Sequence, residues 1–369
     1  MPGCLALYTG LFPSFIFVVL YLIPRMCYHI GTYVLHGGWK MPKTYEPITS
    51  KTGMTRVKEE RMPFGWSVNP YRGCSHGCSF CFARGFQGFI DKKADDEFQN
   101  HILLKMNAAE ALETQLAGLA RSFRHDLEAM RSEVGEVMIG TVTDPYQPIE
   151  GRTKLTRKCL MVLAKYGIRT SVTTRSPLIL RDLDLLANMR SLSVNISINT
   201  LNDGLARRLE PESPLPSRRL DTVQKLTERG IRAGVFIAPI LPLLTDDPSE
   251  LEALFAAAAD RGAESVMTSL LRLSRDVKGW YFRTLKEQFP DKLEPYRRLY
   301  ADGGHAEAGY RESMSRLLDE LHRKYGPAFR AAAERNASPG GYHAEEAYPR
   351  SGLTEIAGAP PVEQLSFPF

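Results

Sequence analysis

Leu155 to Ser176 reads LTRKCLMVLAKYGIRTSVTTRS. Its first half spaces apolar residues as one face of a helix, from Leu155 to Tyr166. Gly167 follows at the point where a helix ends on a left-handed residue. The second half is short and β-branched, as a buried strand is. One helix, one cap and one strand make a unit, and the same unit recurs along the chain. Short apolar runs stand at FGWSVNPY (64–71), EVMIGTVTD (136–144), IRTSVTTRS (168–176), LSVNISINT (192–200), IRAGVFIAPILP (231–242) and ESVMTSLLRL (264–273). Helical patterns separate them: a long one around Leu103 to Met130, then Leu155–Tyr166, Leu180–Met189, Arg218–Arg229, Ser249–Asp260 and Val277–Phe289. Gly230 and Gly262 repeat the cap. Six alternating units predict an α/β fold with parallel strands and right-handed crossovers. Six rather than eight predicts a partial (β/α)6 barrel of the TIM type. Functional residues then belong at the C-terminal ends of the strands.

The chain of 369 residues, 43% hydrophobic and 24% charged, is long enough for a full core. Its formal charge of +5 is compatible with nucleic acid and equally with a neutral substrate. Six cysteines in this length do not make a disulfide scaffold, and a reducing compartment fits them. Residues 1–40 contain an uncharged run, Gly3 to Pro24, long enough to cross a bilayer. It reads either as a single N-terminal membrane anchor, with Arg25, Lys40 and Lys43 keeping the rest cytoplasmic, or as a start assigned upstream of Met41. Either way the catalytic part is expected in the cytoplasm. The expected organisation is an N-terminal extension over 41–62, the barrel over 63–275, a helical C-terminal extension over 276–332 and a flexible Gly-, Pro- and Ala-rich tail over 333–369.

The chemistry concentrates in NPYRGCSHGCSFCFAR, Asn69 to Arg84, directly after the first expected strand. Cys74, Cys78 and Cys81 give C-x3-C-x2-C. A structural zinc site wants a fourth Cys or His, for which His76 is available. On that alternative the chain is a zinc-stabilised nucleic-acid-binding protein without catalysis. Three thiolates on a [4Fe–4S] cluster instead leave one iron without a protein ligand, open to a small molecule.

This motif in this strand context resembles the radical S-adenosylmethionine superfamily, and the wider stretch looks like its spore photoproduct lyase-related branch, over roughly Pro63 to Leu273. The resemblance implies that Cys74, Cys78 and Cys81 hold a [4Fe–4S] cluster whose open iron chelates S-adenosylmethionine. Reductive cleavage then gives methionine and a 5′-deoxyadenosyl radical. It also implies an electron donor such as flavodoxin or ferredoxin. Phe80 matches the aromatic that the superfamily places near the adenine. The Gly-Gly-Glu-like turn usual after the second strand is absent. TVTDPYQPIE stands there, with Thr143 and Asp144 as acceptors for the methionine amino group. Asp144 could instead cap the following turn. Arg175, at the end of the third strand, suits the cofactor carboxylate. Along the fourth strand Asn195, Ser197 and Asn199 share one face and Val194, Ile196 and Ile198 the other. Ser197 and Asn199 are the expected ribose contacts. In RRLEPESPLPSRRL, Arg218 is the candidate for the cofactor or an anionic substrate.

Spore photoproduct lyase returns a hydrogen atom from a cysteine just after the second strand. Here 142–150 holds none; Cys159 sits on the next helix as a packing residue, and Tyr146 is the candidate substitute donor. Damaged DNA or a nucleotide is the expected substrate class. The chain ends QLSFPF, Gln364 to Phe369, similar to peptides that dock repair proteins on the DNA sliding clamp. A monomer is expected.

Overall fold

The computed structural model describes residues 42–59, 62–90, 94–189 and 191–336. The apolar run Gly3 to Pro24 and the ending Gln364 to Phe369 lie outside them. In chain order the strands are β1 (Thr44–Ile48), β2 (Thr55–Arg56), β3 (Trp66–Val68), β4 (Tyr71–Arg72), β5 (His101–Lys105), β6 (Val137–Ile139), β7 (Thr170–Thr174), β8 (Leu192–Ser197), β9 (Arg232–Ile240) and β10 (Val266–Leu270).

The six expected runs become β3, β6, β7, β8, β9 and β10. They pair in that order and always parallel, the pattern of a partial TIM-type barrel. β2 adds an antiparallel edge beside β3. The outward side chains of these strands are β-branched and buried: Val137, Ile139, Val172, Val194, Ile196, Val235 and Ile237 pack under the crossover helices. Those helices answer with Leu160 and Leu163 from Leu155–Tyr166, Val223 and Leu226 from Pro216–Thr227, and Leu251, Leu254 and Phe255 from Pro248–Asp260. Each such side chain contributes about 1.5–3 kcal/mol of burial. Gly167, Gly230 and Gly262 carry φ of 64°, 68° and 72°, the left-handed turn that ends a helix and starts a strand.

Two expected helices are different. The long pattern from Leu103 opens with strand β5, and helices follow only at Ala108–Ser122 and Leu127–Val134. β5 lies between β1, parallel, and β4, antiparallel, in a separate three-stranded sheet. Its run Ile102–Leu104 is buried at consecutive positions, on both faces of the strand. Ile102 and Leu104 meet Tyr71, Ile149 and Leu155. The second helix, expected over Leu180–Met189, is a 3-10 turn over Pro177–Asp182 followed by the single turn Leu183–Leu186.

Beyond the barrel, helices Arg275–Gln288 and Pro290–Leu299 supply Tyr281, Leu285 and Tyr296, and the residues that end them, Phe289 and Tyr300, join these in a second core that includes Cys78 and Phe80. The last helix, Ala308–Asn336, returns to the main core and sets Phe329 against Phe255. Among the described residues no helix is long and apolar enough to cross a membrane.

Candidate active site

The cysteine loop leaves β4 through Gly73, whose φ is 82° and where a Cβ would stand 2.8 Å from the Phe98 carbonyl and 2.9 Å from that of His101. Only glycine passes there without displacing backbone. A second left-handed glycine, Gly77 at φ 68°, bends the loop between Cys74 and Cys78. Arg84 fixes the curve from inside. Its guanidinium is fully buried between the Phe98 and Trp280 rings. It donates to the carbonyls of Cys78 (3.1 Å), Gly77 (3.3 Å) and Asp95 (2.7 Å), and to Gln99 Oε1. Cys74 and Cys78 are buried and Cys81 is half-buried. Burial pushes the Cys74 thiol well up, with Asp144 and the two neighbouring thiols adding to it. Cys78 rises to about 12, chiefly from burial, with Arg175 opposing and Glu210 and Cys81 reinforcing the rise.

The end of β6 clamps this loop. Thr143 Oγ1 donates to the Gly73 carbonyl at 2.6 Å and accepts from Gln147 Nε2 at 3.1 Å. Gln147 also accepts from the Ser75 amide at 3.0 Å and donates to Gly73 at 3.3 Å. Asp144 is wholly engaged inside the protein. Its Oδ1 accepts from the Tyr146 amide (2.9 Å) and the Thr174 hydroxyl (2.6 Å), and its Oδ2 from the Arg175 amide (2.8 Å). His76 Nε2 stands 3.3 Å from the same Oδ2. Burial alone would raise this carboxyl; His76, the Thr174 hydroxyl and the Arg175 amide outweigh it and hold it at about 2. The expected acceptors for the cofactor amine thus also tie the cysteine loop and the strand ends together.

The end of β7 delivers Arg175 beside the thiols. Its Nε donates to Glu210 Oε2 at 3.2 Å, and its guanidinium lies 5.9 Å from the centre of the Phe80 ring. Burial disfavours this charge, but Cys78, Glu210 and Cys81 more than compensate and raise its pKa. The same Glu210 oxygen accepts from Arg219 Nη2 at 2.6 Å. Arg219 is buried and also donates to the carbonyls of Ser197 (3.1 Å) and Pro214 (2.8 Å). Arg218, the expected cation, is exposed. The helix Pro216–Thr227 turns Leu220, Val223 and Leu226 toward the core, and Arg219 is the arginine that goes in with them.

Along β8 and just beyond it, Val194, Ile196 and Ile198 enter the main core, while Asn195, Ser197 and Asn199 are buried away from it. Asn195 Nδ2 and both side-chain polar atoms of Asn199 have no partner among the described residues. Buried amides with nothing to bond are costly, and a polar ligand at the strand ends would satisfy them. Tyr146 is placed elsewhere. Its ring is fully buried in the main core and its hydroxyl donates to Asp182 at 3.1 Å. Cys159 is likewise fully buried in that core. Sequence reasoning missed Gln147, Arg84, Glu210 and Arg219. Of these, only Glu210 and Arg219 carried a signal, as part of the charged segment around the Pro-rich bend.

The radical SAM superfamily model matches residues 68–255. An uncharacterized protein of Mycobacterium tuberculosis is 32% identical over 286 residues, covering 76% of this chain and 81% of its own. The chain belongs to the radical SAM superfamily. A radical SAM Nα-GlyT isomerase of Pseudomonas phage M6 is 22% identical over 263 residues, 70% of this chain and half of its own. Among solved structures, spore photoproduct lyase with bound AdoMet and dinucleoside spore photoproduct shares the fold with a TM-score of 0.58, at 16% identity, over 77% of this chain and 80% of that one.

As a radical SAM enzyme the protein uses a [4Fe–4S] cluster and S-adenosylmethionine, and its residues fit both. Three thiols share one bent loop, and burial raises the cost of ionising Cys74 and Cys78 unless iron takes the protons' place. Zinc fits less well. His76 already faces Asp144 and, through Nδ1, the Glu212 carbonyl at 3.3 Å. Among the described residues no three His, Cys, Asp or Glu groups converge to hold a single ion.

Proposed function

We propose that this radical SAM enzyme acts on damaged DNA or a nucleotide. The observation that carries the reading is the shared fold with spore photoproduct lyase, whose structure holds a dinucleoside photoproduct. The phage relative named as an Nα-GlyT isomerase is a second radical SAM protein, similar over 70% of this chain. When bound, the iron–sulfur cluster supplies the electron that cleaves S-adenosylmethionine to a 5′-deoxyadenosyl radical. The chain's own part is to fix and shield. Thr143, Gln147 and Arg84 hold the cysteine loop at the strand ends, Arg175 brings a cation beside it, and the face of Asn195 and Asn199 offers unpaired amides to the sugar. A one-electron reductant such as flavodoxin or ferredoxin completes the reaction. The sequence Gln364 to Phe369 supports recruitment by the sliding clamp, with the enzyme working as a monomer.

Anaerobically reconstituted, reduced protein is expected to release 5′-deoxyadenosine, and to release more with ultraviolet-irradiated DNA than with intact DNA. Equal release with both would overturn the substrate assignment. Zinc without labile sulfide in the purified protein would overturn the cofactor.

A further inference from the structure

Thr143 and Asp144 have their oxygens in use within the protein, so a carboxylate with an unpartnered oxygen is the stronger candidate for the amino group of S-adenosylmethionine. Glu210 is the carboxylate in the right condition. It is 1% exposed, and both arginines bind one of its oxygens, Oε2. The other, Oε1, is buried without a partner among the described residues. Arg175 is the converse. Its Nε is spent on Glu210, while its two terminal nitrogens donate to nothing among the described residues. The segment that carries Glu210 touches the cysteine loop on both sides of it: the Ser79 amide donates to the Leu209 carbonyl at 2.9 Å and the Glu212 amide to the His76 carbonyl at 3.3 Å. An unpaired acceptor and an unpaired donor edge, locked together by one ion pair, therefore sit beside the iron-binding thiols. The free end of an α-amino acid presents the matching pair, N–H donors and a carboxylate.

We propose that Glu210 Oε1 accepts from the amino group of S-adenosylmethionine while Arg175 donates to its carboxylate, so that an Arg–Glu pair replaces the Gly-Gly-Glu-like turn this chain lacks. Arg219 is the positioning residue. Held by the Ser197 and Pro214 carbonyls, it pins Oε2 and so directs the free oxygen. The inference rests on S-adenosylmethionine being the cofactor, and it is independent of which substrate the radical attacks.

The test uses the reconstituted protein and equilibrium binding of two ligands, S-adenosylmethionine and its analogue with hydrogen in place of the α-amino group. In Glu210→Gln the arginines still demand an acceptor at Oε2, so the amide NH2 falls at Oε1 and turns an acceptor into a donor. The preference of wild type for the cofactor over the analogue is expected to shrink by about tenfold or more in this variant, the worth of a charged hydrogen bond. Binding of the analogue itself is expected to stay within a few-fold of wild type. A purely structural Glu210 would lower both affinities together and leave the preference unchanged, which overturns the proposal. Glu210→Asp keeps the buried charge that Arg175 and Arg219 require and withdraws the acceptor. It is expected to lose the same preference with iron and sulfide content intact, and a retained preference there also overturns the proposal. Failure of irradiated DNA to stimulate cofactor cleavage would leave all these ratios untouched, so the two readings fail separately.

Discussion

Asp144 shows how much one buried carboxylate can hold together. A carboxylate after the second barrel strand is visible in the sequence, and its chemistry suits an amine. In the structure it gathers the Tyr146 and Arg175 amides, the Thr174 hydroxyl and His76 around two oxygens. Those partners come from three separate segments, and removing the carboxylate takes away the acceptor shared by the Tyr146 and Arg175 amides and the Thr174 hydroxyl. Asp144→Ala is expected to cost about 3–5 kcal/mol, the penalty for removing one member of a buried charged network. Chemical denaturation measures it, and a loss under 1 kcal/mol would mean that the network is dispensable. Iron incorporation should fall with it, because the same segment holds the cysteine loop through Thr143 and Gln147. Cys74, Cys78 and Cys81 were legible because their spacing is itself the signal. Glu210 and Arg219 were not singled out, since a charged segment does not reveal which member a helix turns inward. Leu220, Val223 and Leu226 decide that, by facing the core and carrying Arg219 in with them.

At the scale of elements, the strands that build the barrel were legible and those of the second sheet were not. β6 to β10 each stand alone between helices, so their β-branched runs are bounded by caps such as Gly167 and Gly230. β5 has no such boundary on its C-terminal side. HILLK runs within a few residues into the Ala- and Leu-rich helix Ala108–Ser122, and no local period separates them. What makes it a strand is non-local, the pairing to β1 and β4. The same pairing brings the Lys105 ammonium out of water, with Arg72 nearby adding to the penalty, and lowers its pKa from 10.5 to about 8. The sign follows from proton counts. Between pH 8 and 10.5 the unfolded chain holds the proton and the folded one does not, so stability from this group rises with pH across that window. Below pH 8 the full penalty applies. Lys105→Met is therefore expected to melt higher than wild type at pH 7, with the gap closing as pH rises past 8. Thermal melts of both proteins across pH 6–10 check this, and a gap that is constant or widens with pH would contradict it.

At the scale of the whole molecule, the cysteine loop joins parts that are otherwise packed separately. Cys78 and Phe80 belong to the core made with the C-terminal helices, through Tyr281, Leu285 and Tyr296, while Cys74 packs with Ala83 and Phe98. Thr143 and Gln147 tie the loop back to the barrel, whose own core is a third body of side chains. A group bound by all three thiols therefore cross-links the barrel to its helical extension, and by linkage it stabilises whatever it joins. Burial disfavours ionising Cys74 and Cys78, so without iron this junction is held by packing and by the hydrogen bonds of Arg84, Thr143 and Gln147. Anaerobically reconstituted protein is accordingly expected to melt several degrees above the same protein stripped with a chelator, since about 1 kcal/mol moves the midpoint of a large domain by roughly 2–4 °C. Replacing Cys74, Cys78 and Cys81 by alanine should abolish the difference, leaving one melting curve with or without iron and sulfide. The position of the loop predicts more than a shift. Limited proteolysis of the stripped protein should open the helices Arg275–Gln288 and Pro290–Leu299 before the barrel, because they share a core with Cys78 and depend on the loop staying in place. Reconstitution that protected the barrel alone, or nothing, would show that the iron–sulfur cluster serves the chemistry without bracing the fold.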